Sequence, residues 1–216
     1  GILFLDEFAQ MPKSVTEALR GPLEDRKVTI SRLRSKVEFP ASFTLVAAAN
    51  PCPCGYYGAG DRCTCTPAQR QSYMSRLSGP IMDRIDIQLY MEMVSPEKLV
   101  NRVREESSAD VAARVLAARD IQMERFAGTE VFVNAEMTNS MMEHFCRLSS
   151  ECRGIMERMT ESMGLSARAY GRILKIARTI ADLDAVRDGL SQPGEITPEH
   201  LLEAAGFRFL DRFRGI

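Results

Sequence analysis

Residues 1–7 read GILFLDE, and this stretch decides how the first part of the chain is interpreted. Its apolar run, Ile2 to Leu5, has the length of a buried β-strand. Two adjacent carboxylates, Asp6 and Glu7, follow at the carboxyl end of that strand. Such acids suit metal and phosphate chemistry, because one can hold hydrated Mg²⁺ while its neighbour polarises a water molecule. Acids at strand ends are also common without a function, so the pattern alone leaves both interpretations open.

Two further apolar runs, residues 43–49 and 85–91, also predict strands buried on both faces. A helix is predicted between the first two strands, over residues 13–23. If those strands are parallel neighbours, Asn50 emerges at the same sheet edge as the carboxylates, where open α/β sheets bind ligands. An amide there can orient water against a phosphate. Alternatively, Asn50 and Pro51 simply begin a turn.

The pattern changes to helical from residue 95 onward, and we expect a boundary near Val94. The predicted organisation is three segments: 1–94, a connecting helical segment 95–126, and an all-helical part 127–216. Ser166 and Thr197 are typical helix N-caps. The predicted helices cover residues 110–126, 135–148, 151–163, 166–184 and 198–206.

The composition is that of an ordinary globular protein, with 28 basic and 29 acidic residues, 45% apolar residues and a net charge of −1. No stretch reaches the roughly 18 apolar residues of a membrane helix. The near-zero charge predicts no global attraction to nucleic acid, so such a partner requires a local patch. Six cysteines without a secretory segment indicate a reducing, cytoplasmic location, where clustered thiols favour metal over disulfide.

Four of the cysteines form two C-x-C pairs separated by eight residues: Cys52, Cys54, Cys63 and Cys65. Four thiolates so close in sequence can close a tetrahedral zinc site. The C-x-C spacing, however, is tighter than the usual C-x-x-C and strains ligation of one ion by both members of a pair. Zinc, reduced thiols and disulfides all remain open on this pattern. Cys146 and Cys152 lie in helical patterns and are interpreted as buried apolar residues, and no site is assigned to His144 or His200.

A predicted hairpin between Val28 and Phe39 is the best candidate for a partner contact. Residues 26–36 contain five basic side chains and no acid, whereas residues 1–25 carry a net charge of −3. The hypothesis is that Arg32, Arg34 and Lys36 touch nucleic-acid phosphates. The alternative is an edge hairpin whose charges prevent aggregation.

Five segments in order carry a resemblance to a known family. They are GILFLDE (1–7), ALRGPLED (18–25), AAANPCPCG (47–55), LSGPIMDRID (77–86) and LSARAYGRILKIARTIADL (165–183). Together they resemble the magnesium-chelatase-like AAA+ ATPases of the ComM or YifB type. The resemblance implies an α/β fold: the later strands of a P-loop NTPase domain with a β-hairpin, then an all-α lid.

The resemblance also implies roles for single residues. Asp6 and Glu7 look like the Walker B pair, Asp6 for Mg²⁺ and Glu7 as the base that activates water. Asn50 looks like sensor 1. Arg84 is similar to the arginine finger that reaches the nucleotide of a neighbouring subunit, and Arg168 looks like sensor 2.

Alternatives exist for both arginines. Arg84 also suits a salt bridge with Asp83 or Asp86, and Arg76 competes for the finger role. With Ser166 as N-cap, Arg168 falls in the first turn of a helix, at the end that favours phosphate. A solvated basic face with Arg172 would look the same.

The implied function is an ATP-dependent, ring-forming motor that acts on DNA, as in branch migration, with ATP and Mg²⁺ as cofactors. One alternative is a motor subunit of a magnesium chelatase, and another is a non-catalytic zinc or DNA-binding module. The 216 residues contain no G-x-x-x-x-G-K-[ST] motif. We therefore expect this chain to be a carboxyl-terminal part without ATPase activity of its own. In AAA+ domains the P-loop strand is central, so residues 85–91 should pack abnormally or pair with another chain.

Overall fold

The computed structural model describes residues 1–32, 35–58, 60–77, 79–91, 94, 97, 100–101 and 105–208. The chain divides into two compact units, Gly1–Ile85 and Asp86–Ile216. The first is mixed α/β and the second is helical, which confirms the predicted fold class. The finer division into 1–94, 95–126 and 127–216 stays a prediction.

Where the first unit is described, it contains two small sheets and four short helices. Its strands are β1 (Ile2–Leu5), β2 (Lys27–Arg32), β3 (Ser35–Pro40) and β4 (Thr44–Ala47). Its helices are α1 (Lys13–Ala18), α2 (Arg20–Asp25), α3 (Pro67–Met74) and α4 (Gly79–Met82). Single 3₁₀ turns lie at Phe8–Gln10 and Gly60–Arg62.

The strands β1 and β4 pair in parallel, with Leu5 opposite Ala47. This pairing confirms the first two predicted strands. The prediction that both faces are buried is wrong, because Ile2 is 76% exposed and Phe4 59% exposed. Full burial requires layers on both faces of a wider sheet, and β1 and β4 form a two-stranded one.

The single helix predicted over residues 13–23 is two helices, α1 and α2, which meet at Leu19. Pro22 explains the break. It has no N–H to donate to the carbonyl of Ala18, and its ring would clash with that carbonyl in a continuous helix.

The strand predicted over residues 85–91 is absent, and this expectation was wrong. Gln88 forms one isolated parallel bridge with Arg208, through its N–H to the Phe207 carbonyl at 2.7 Å. Leu89 and Met91 are exposed. No described strand lies beside this run to satisfy its remaining backbone groups, and a strand without a neighbour is not stable.

The predicted hairpin is confirmed as β2 paired antiparallel with β3. Val28 faces Phe39 and Ile30 faces Val37, so one side of the hairpin is apolar. All four of these side chains are exposed. Lys27, Lys36 and Glu38 lie on the opposite side. Arg34 lies outside the described residues.

Among its described residues, the second unit has five helices of seven residues or more around one core. They are α5 (Ser108–Arg125), α6 (Asn139–Phe145), α7 (Ser150–Met163), α8 (Ala167–Arg187) and α9 (Pro198–Gly206). The apolar stripe of α8 is buried at Ala169, Ile173 and Ile180, as its helical spacing predicts. Cys146 and Cys152 are both buried, which confirms their interpretation.

The helix predicted over residues 135–148 is shorter than expected. Asn134–Glu136 is a 3₁₀ turn, and α6 begins only after Thr138, whose hydroxyl accepts from the Met141 N–H at 3.3 Å. The Thr138 cap starts a new helix at this point. The predicted N-caps Ser166 and Thr197 are both confirmed, each accepting a backbone N–H of the first turn.

A buried polar cluster centres on Asp182, whose side chain is fully enclosed. Its carboxylate accepts from both Arg125 and the Asn134 amide, the latter at 2.8 Å. The Gln122 amide donates to the Asp182 carboxylate at 3.2 Å. Arg178, one turn earlier in α8, has its Nε 3.3 Å from the same carboxylate. The cluster therefore fastens α5 and the 3₁₀ turn to α8. In the part of the chain that is described, no helix combines the length and apolarity needed to cross a membrane.

Candidate functional site

The adjacent carboxylates Asp6 and Glu7 follow β1 directly. Glu7 has φ +50° and ψ +37°, a left-handed conformation that residues other than glycine seldom adopt. Its N–H donates to Asp6 Oδ1 at 2.8 Å, and its carbonyl accepts from the Gln10 N–H at 2.7 Å. A backbone outlier held by the surrounding structure is typical of functional sites. Here it falls on the residue predicted to be the catalytic base.

Asn50 follows β4, and the parallel pairing brings β1 and β4 to an end at the same edge. The pairing continues past the strands, because the Ala48 N–H donates to Leu5 at 2.9 Å and the Phe8 N–H donates to Ala48 at 2.8 Å. Asp6, Glu7 and Asn50 thus emerge at one sheet edge, as expected for a parallel sheet. The oxygen donors of Asp6 and Glu7 are of the kind that Mg²⁺ prefers, so the donor set fits this ion.

Arg84, the predicted arginine finger, is enclosed within its own unit. Only 6% of its side chain is exposed, and it forms an ion pair with Glu24. Its Nη1 donates to the Pro80 carbonyl at 2.7 Å, while Nε is buried without a hydrogen bond to the described residues. The predicted alternatives Asp83 and Asp86 are not its partners here. Asp86 instead pairs with Arg172.

Arg76, the competitor for the finger role, lies in a different environment. It is exposed just beyond the end of α3, and its guanidinium carbon lies 6.0 Å from the centroid of the Tyr73 ring. Both residues line an open cavity of about 740 Å³, together with Gln10, Cys54 and Cys65.

Arg168, the predicted sensor 2, lies in the first turn of α8 and is exposed. Ser166 caps this helix by accepting the Ala169 N–H at 3.2 Å. The N-terminal position favours an anion, as predicted. Arg172 is bound to Asp86, and Lys175 donates to the Ala135 carbonyl at 3.0 Å, so neither lies on a simply solvated face.

The four clustered cysteines converge in space. The sulfur of Cys52 lies 3.4 Å from that of Cys54 and 3.8 Å from that of Cys63. The sulfurs of Cys54 and Cys63 are 3.7 Å apart, and all four sulfurs, that of Cys65 included, lie within 4.8 Å of one another. Zinc–sulfur bonds of about 2.3 Å in a tetrahedron place sulfurs about 3.8 Å apart. The donor set therefore fits zinc, and C-x-C spacing is no obstacle to convergence.

The thiols of this cluster differ in acidity. A hydrogen bond from the Tyr56 backbone N–H lowers the pKa of Cys54 to about 6, whereas burial raises the pKa of Cys65 to about 11. Burial also raises the pKa of Tyr73, and the neighbouring charges of Cys52 and Glu7 add to that effect. Tyr73 also lines the same open cavity as Cys54 and Cys65.

The turn that follows Cys54 passes beside Asn50. Gly55 has φ +81°, and a Cβ built on it would lie 3.8 Å from Asn50 Cγ. The Gly55 N–H donates to the Cys52 carbonyl at 3.0 Å, which closes a tight turn next to Asn50. The turn that carries Cys52 and Cys54 therefore lies next to the predicted sensor 1.

The hairpin carries an ion-pair cluster that the charge count over residues 26–36 does not include. Glu38 lies two residues beyond the basic run and pairs with Lys27 at 3.0 Å and with Lys36 at 3.6 Å. Contact with Lys27 lowers the pKa of Glu38. The positive charge of Lys36 is therefore partly offset within the hairpin. Cross-strand register, which follows from the hairpin turn, is the signal that would have found this pairing.

Sequence reasoning did not predict two further contacts, those of Glu24 and His200. Glu24 is far from its partner in sequence, and His200 has no site assigned to it. Glu24 lies 60 residues before Arg84, and no local pattern connects them. His200 completes a capping box in α9 by accepting the Thr197 N–H at Nδ1, at 3.0 Å, and its Nε2 lies 3.1 Å from Asp184. The spacing of three residues after a threonine is a signal for that box.

Comparison with known protein families agrees with the resemblance to magnesium-chelatase-like proteins. A sequence profile described as "Magnesium chelatase, subunit ChlI" matches residues 1–99, and one described as "Magnesium chelatase, subunit ChlI C-terminal" matches residues 105–208. The chain belongs to this magnesium-chelatase-like family.

Individual relatives align along almost the whole chain. It is 42% identical, over 213 residues, to both "Uncharacterized protein YifB" of Escherichia coli and "Competence protein ComM" of Haemophilus influenzae. It is 35% identical over 194 residues to "Uncharacterized protein Mb2921c" of Mycobacterium bovis. The first two alignments cover 98% of this chain and 40% of each relative, and the third covers 90% and 37%. The chain thus spans about two fifths of the length of these relatives.

Proposed function

We propose that this chain is part of a ring-forming AAA+ ATPase that hydrolyses ATP with Mg²⁺ and acts on DNA in the cytoplasm. The observation that carries the proposal is the shared sheet edge of Asp6, Glu7 and Asn50, set by the parallel pairing of Leu5 with Ala47. Family membership supports the nucleotide chemistry. In this proposal Asp6 holds Mg²⁺, Glu7 accepts a proton from the attacking water, and Asn50 orients that water. Arg168 binds phosphate from the first turn of α8.

Hydrolysis requires a phosphate-binding loop, and the 216 residues contain no such motif. The test therefore uses a longer protein that contains this chain together with a P-loop. Glu7→Gln should lower the turnover number by roughly 10²–10⁴, since it removes the base but keeps the shape, and nucleotide affinity should stay unchanged. Glu17→Gln is the matched control, because Glu17 pairs with Arg20 on the surface of α1. Full turnover by the Glu7→Gln variant would overturn the assignment.

Arg84 is proposed to act on the nucleotide of a neighbouring copy. Its ion pair with Glu24 must then open on assembly, because the guanidinium is enclosed in the single chain. Arg76, which is exposed, is the second candidate. Mixing each alanine variant with the Glu7→Gln protein distinguishes them. In the mixture, the alanine variant supplies an intact Glu7 and the Glu7→Gln protein supplies an intact arginine. Activity should return only if the arginine that was replaced acts on the nucleotide of the neighbouring copy.

Binding to DNA is proposed for the tip of the hairpin, through Arg32, Arg34 and Lys36. The support is the basic run from residue 26 to residue 36. Changing all three to alanine should weaken binding evenly across sequences and reduce the slope of log affinity against log salt by about one per lost phosphate contact. Glu38→Gln is an informative partner variant, because it releases Lys27 and Lys36 from their ion pairs and should strengthen binding.

Zinc is proposed as the occupant of the four-cysteine cluster. The support is the mutual approach of the four sulfurs. When bound, zinc would cross-link residues 52–54 to residues 63–65 and so hold the loop between them. Metal analysis of the purified chain should give one equivalent, and Cys63→Ser should abolish it. A value near zero for the wild-type chain would reject the site.

A magnesium-chelatase motor subunit is the second candidate, favoured by the family description itself. The two candidates differ in what stimulates the ATPase. DNA should raise the turnover of the longer protein if it acts on DNA, and the hairpin variant should lose that stimulation. An ATPase indifferent to DNA would favour the chelatase alternative.

A further inference from the structure

The loop that joins the two cysteine pairs carries two adjacent tyrosines at the surface. Tyr56 and Tyr57 are 48% and 49% exposed. They lie between Gly55 and Gly58, whose φ angles of +81° and +87° suit only residues without a side chain. Two exposed rings thus follow one another in sequence on a tight loop, between two glycines.

Tyr57 is already stacked on one face. The guanidinium carbon of Arg70 lies 4.7 Å from the centroid of the Tyr57 ring. Arg70 is itself fixed, because its Nη1 donates to the Cys65 carbonyl at 3.2 Å. The pair is therefore a cation–π stack anchored to the cysteine loop, and its geometry is set before any partner binds.

The surrounding residues indicate what the rings can bind. Residues 51–73 contain no Val, Leu, Ile or Met, so this segment lacks the aliphatic side chains expected of an apolar protein contact. One acid, Asp61, stands against the arginines at 62 and 70. Aromatic rings beside arginines suit unpaired nucleobases, because every base offers a π face and the phosphates lie within reach of the guanidinium groups.

We infer that Tyr56, Tyr57 and Arg70 form a stacking platform for unpaired bases of single-stranded nucleic acid. The inference rests on the proposed action on DNA and adds a second contact surface, separate from the hairpin. Paired bases in a duplex are already stacked, so the platform selects single strands. Stacking of a base on a ring neutralises no phosphate, so the contribution of the two rings depends less on salt than that of the hairpin.

A direct test uses the absence of tryptophan from this chain. Tyr57→Trp introduces one indole at the platform and keeps an aromatic ring there. Titration of this 216-residue variant with a 16-nucleotide oligothymidylate should quench its fluorescence as a base stacks on the indole. Tyr90→Trp is the matched control, since Tyr90 is also exposed but belongs to the helical unit, and its fluorescence should not change. An unquenched indole in Tyr57→Trp at saturating oligonucleotide would overturn the platform.

Affinity provides the second measurement. Replacing both tyrosines with alanine should weaken oligothymidylate binding roughly 5- to 100-fold per lost stack, and Tyr57→Phe should retain it. The loss should persist at high salt. Wild-type affinity in the double variant would overturn the inference, and the phenylalanine and tryptophan variants keep the test valid if the double variant does not fold.

The hairpin variant distinguishes this inference from the proposed function. Alanine at residues 32, 34 and 36 should reduce the salt slope but leave the quenching of Tyr57→Trp intact. If the oligothymidylate does not bind the chain at all, the platform is wrong, whereas the proposed function still depends on the DNA-stimulated ATPase of the longer protein. If the hairpin variant alone loses binding, the proposed function stands and the platform does not.

Discussion

The two units of this chain differ in what stabilises each of them internally. The helical unit, Asp86–Ile216, encloses a continuous core in which twelve of the described side chains are buried, including Met156, Ile173 and Leu201. The first unit, Gly1–Ile85, exposes apolar residues on both its sheets, such as Phe4 on β1 and Ile30 on β2. Apolar burial is the main stabilising contribution in folding, so the first unit must depend more on local cross-links. The proposed zinc site at the four clustered cysteines would supply such a cross-link.

The largest difference between the two units should therefore be their response to removal of the proposed metal. Structural zinc contributes on the order of 10 kcal/mol in small domains, comparable to the whole stability of a typical domain. With a strong chelator, hydrogen exchange in residues 50–76 should become fast, while α7 and α8 keep their protection. Cys152→Ser, a buried thiol of the helical unit, is the control and should leave metal content unchanged. Equal protection with and without the chelator would contradict the proposed zinc site.

The helical unit should fail instead when its buried carboxylate is removed. Asp182→Ala leaves Arg125 and Arg178 enclosed without their anionic partner, which should cost about 3–5 kcal/mol. Denaturant unfolding followed by far-UV circular dichroism measures this loss. Asp184→Ala, two residues along α8 and only half-buried, should cost less than about 1 kcal/mol. Similar losses in the two variants would mean that the buried cluster is not a stabilising centre.

Thiol reactivity should differ between the units in the metal-free chain. The pKa of Cys54 is lowered to about 6 by the Tyr56 N–H, and burial raises the pKa of Cys146 to about 11. At pH 7 their thiolate fractions differ by about 10⁴, which lower nucleophilicity at Cys54 reduces to roughly 10² in rate. Alkylation with iodoacetamide, read by peptide mass spectrometry, should modify Cys54 first.

The pH dependence of stability has opposite signs at these two thiols. For Cys54 the folded state favours the thiolate, so its stabilising contribution is present above pH 9 and is lost as pH falls towards 6. For Cys146 the folded state favours the thiol, so its contribution is present below pH 9 and is lost as pH rises towards 11. Preferential labelling of Cys146 at pH 7 would contradict both assignments.

The smallest expected effect is at a helix cap. Thr197→Ala removes the hydroxyl that accepts the His200 N–H at the start of α9, and should cost about 1 kcal/mol. The same unfolding measurement detects it. Ser191→Ala, on the exposed segment before that cap, should change stability by less than about 0.5 kcal/mol. An equal loss of stability in both variants would mean that the Thr197 cap does not stabilise this unit.

Local patterns predicted most of the elements correctly and failed where a neighbour was required. The hairpin, α5, α7, α8 and α9 follow from periodicity and capping residues within the segments themselves. Residues 85–91 have the apolar composition of a strand but lack a paired neighbour among the described strands. The break in the first helix was visible in the sequence at Pro22, although the apolar spacing obscured it.

For the candidate site, sequence reasoning could propose the residues but not describe their environment. The common edge of Asp6, Glu7 and Asn50 was predictable, because parallel strands end together. The enclosure of Arg84 by Glu24 was not, since the two are 60 residues apart. Nor could spacing show that two C-x-C pairs bring their sulfurs together.

The sequence by itself determined the chemistry available to this protein: a strand ending in carboxylates, four clustered thiols and a basic hairpin in front of a helical region. These depend on residue type and short-range order, which are written directly in the chain. Only the tertiary structure decided which charges are neutralised, which thiols are acidic and which rings face solvent. Burial and long-range contacts control those properties, because the free energy of a charge or a ring depends on what surrounds it.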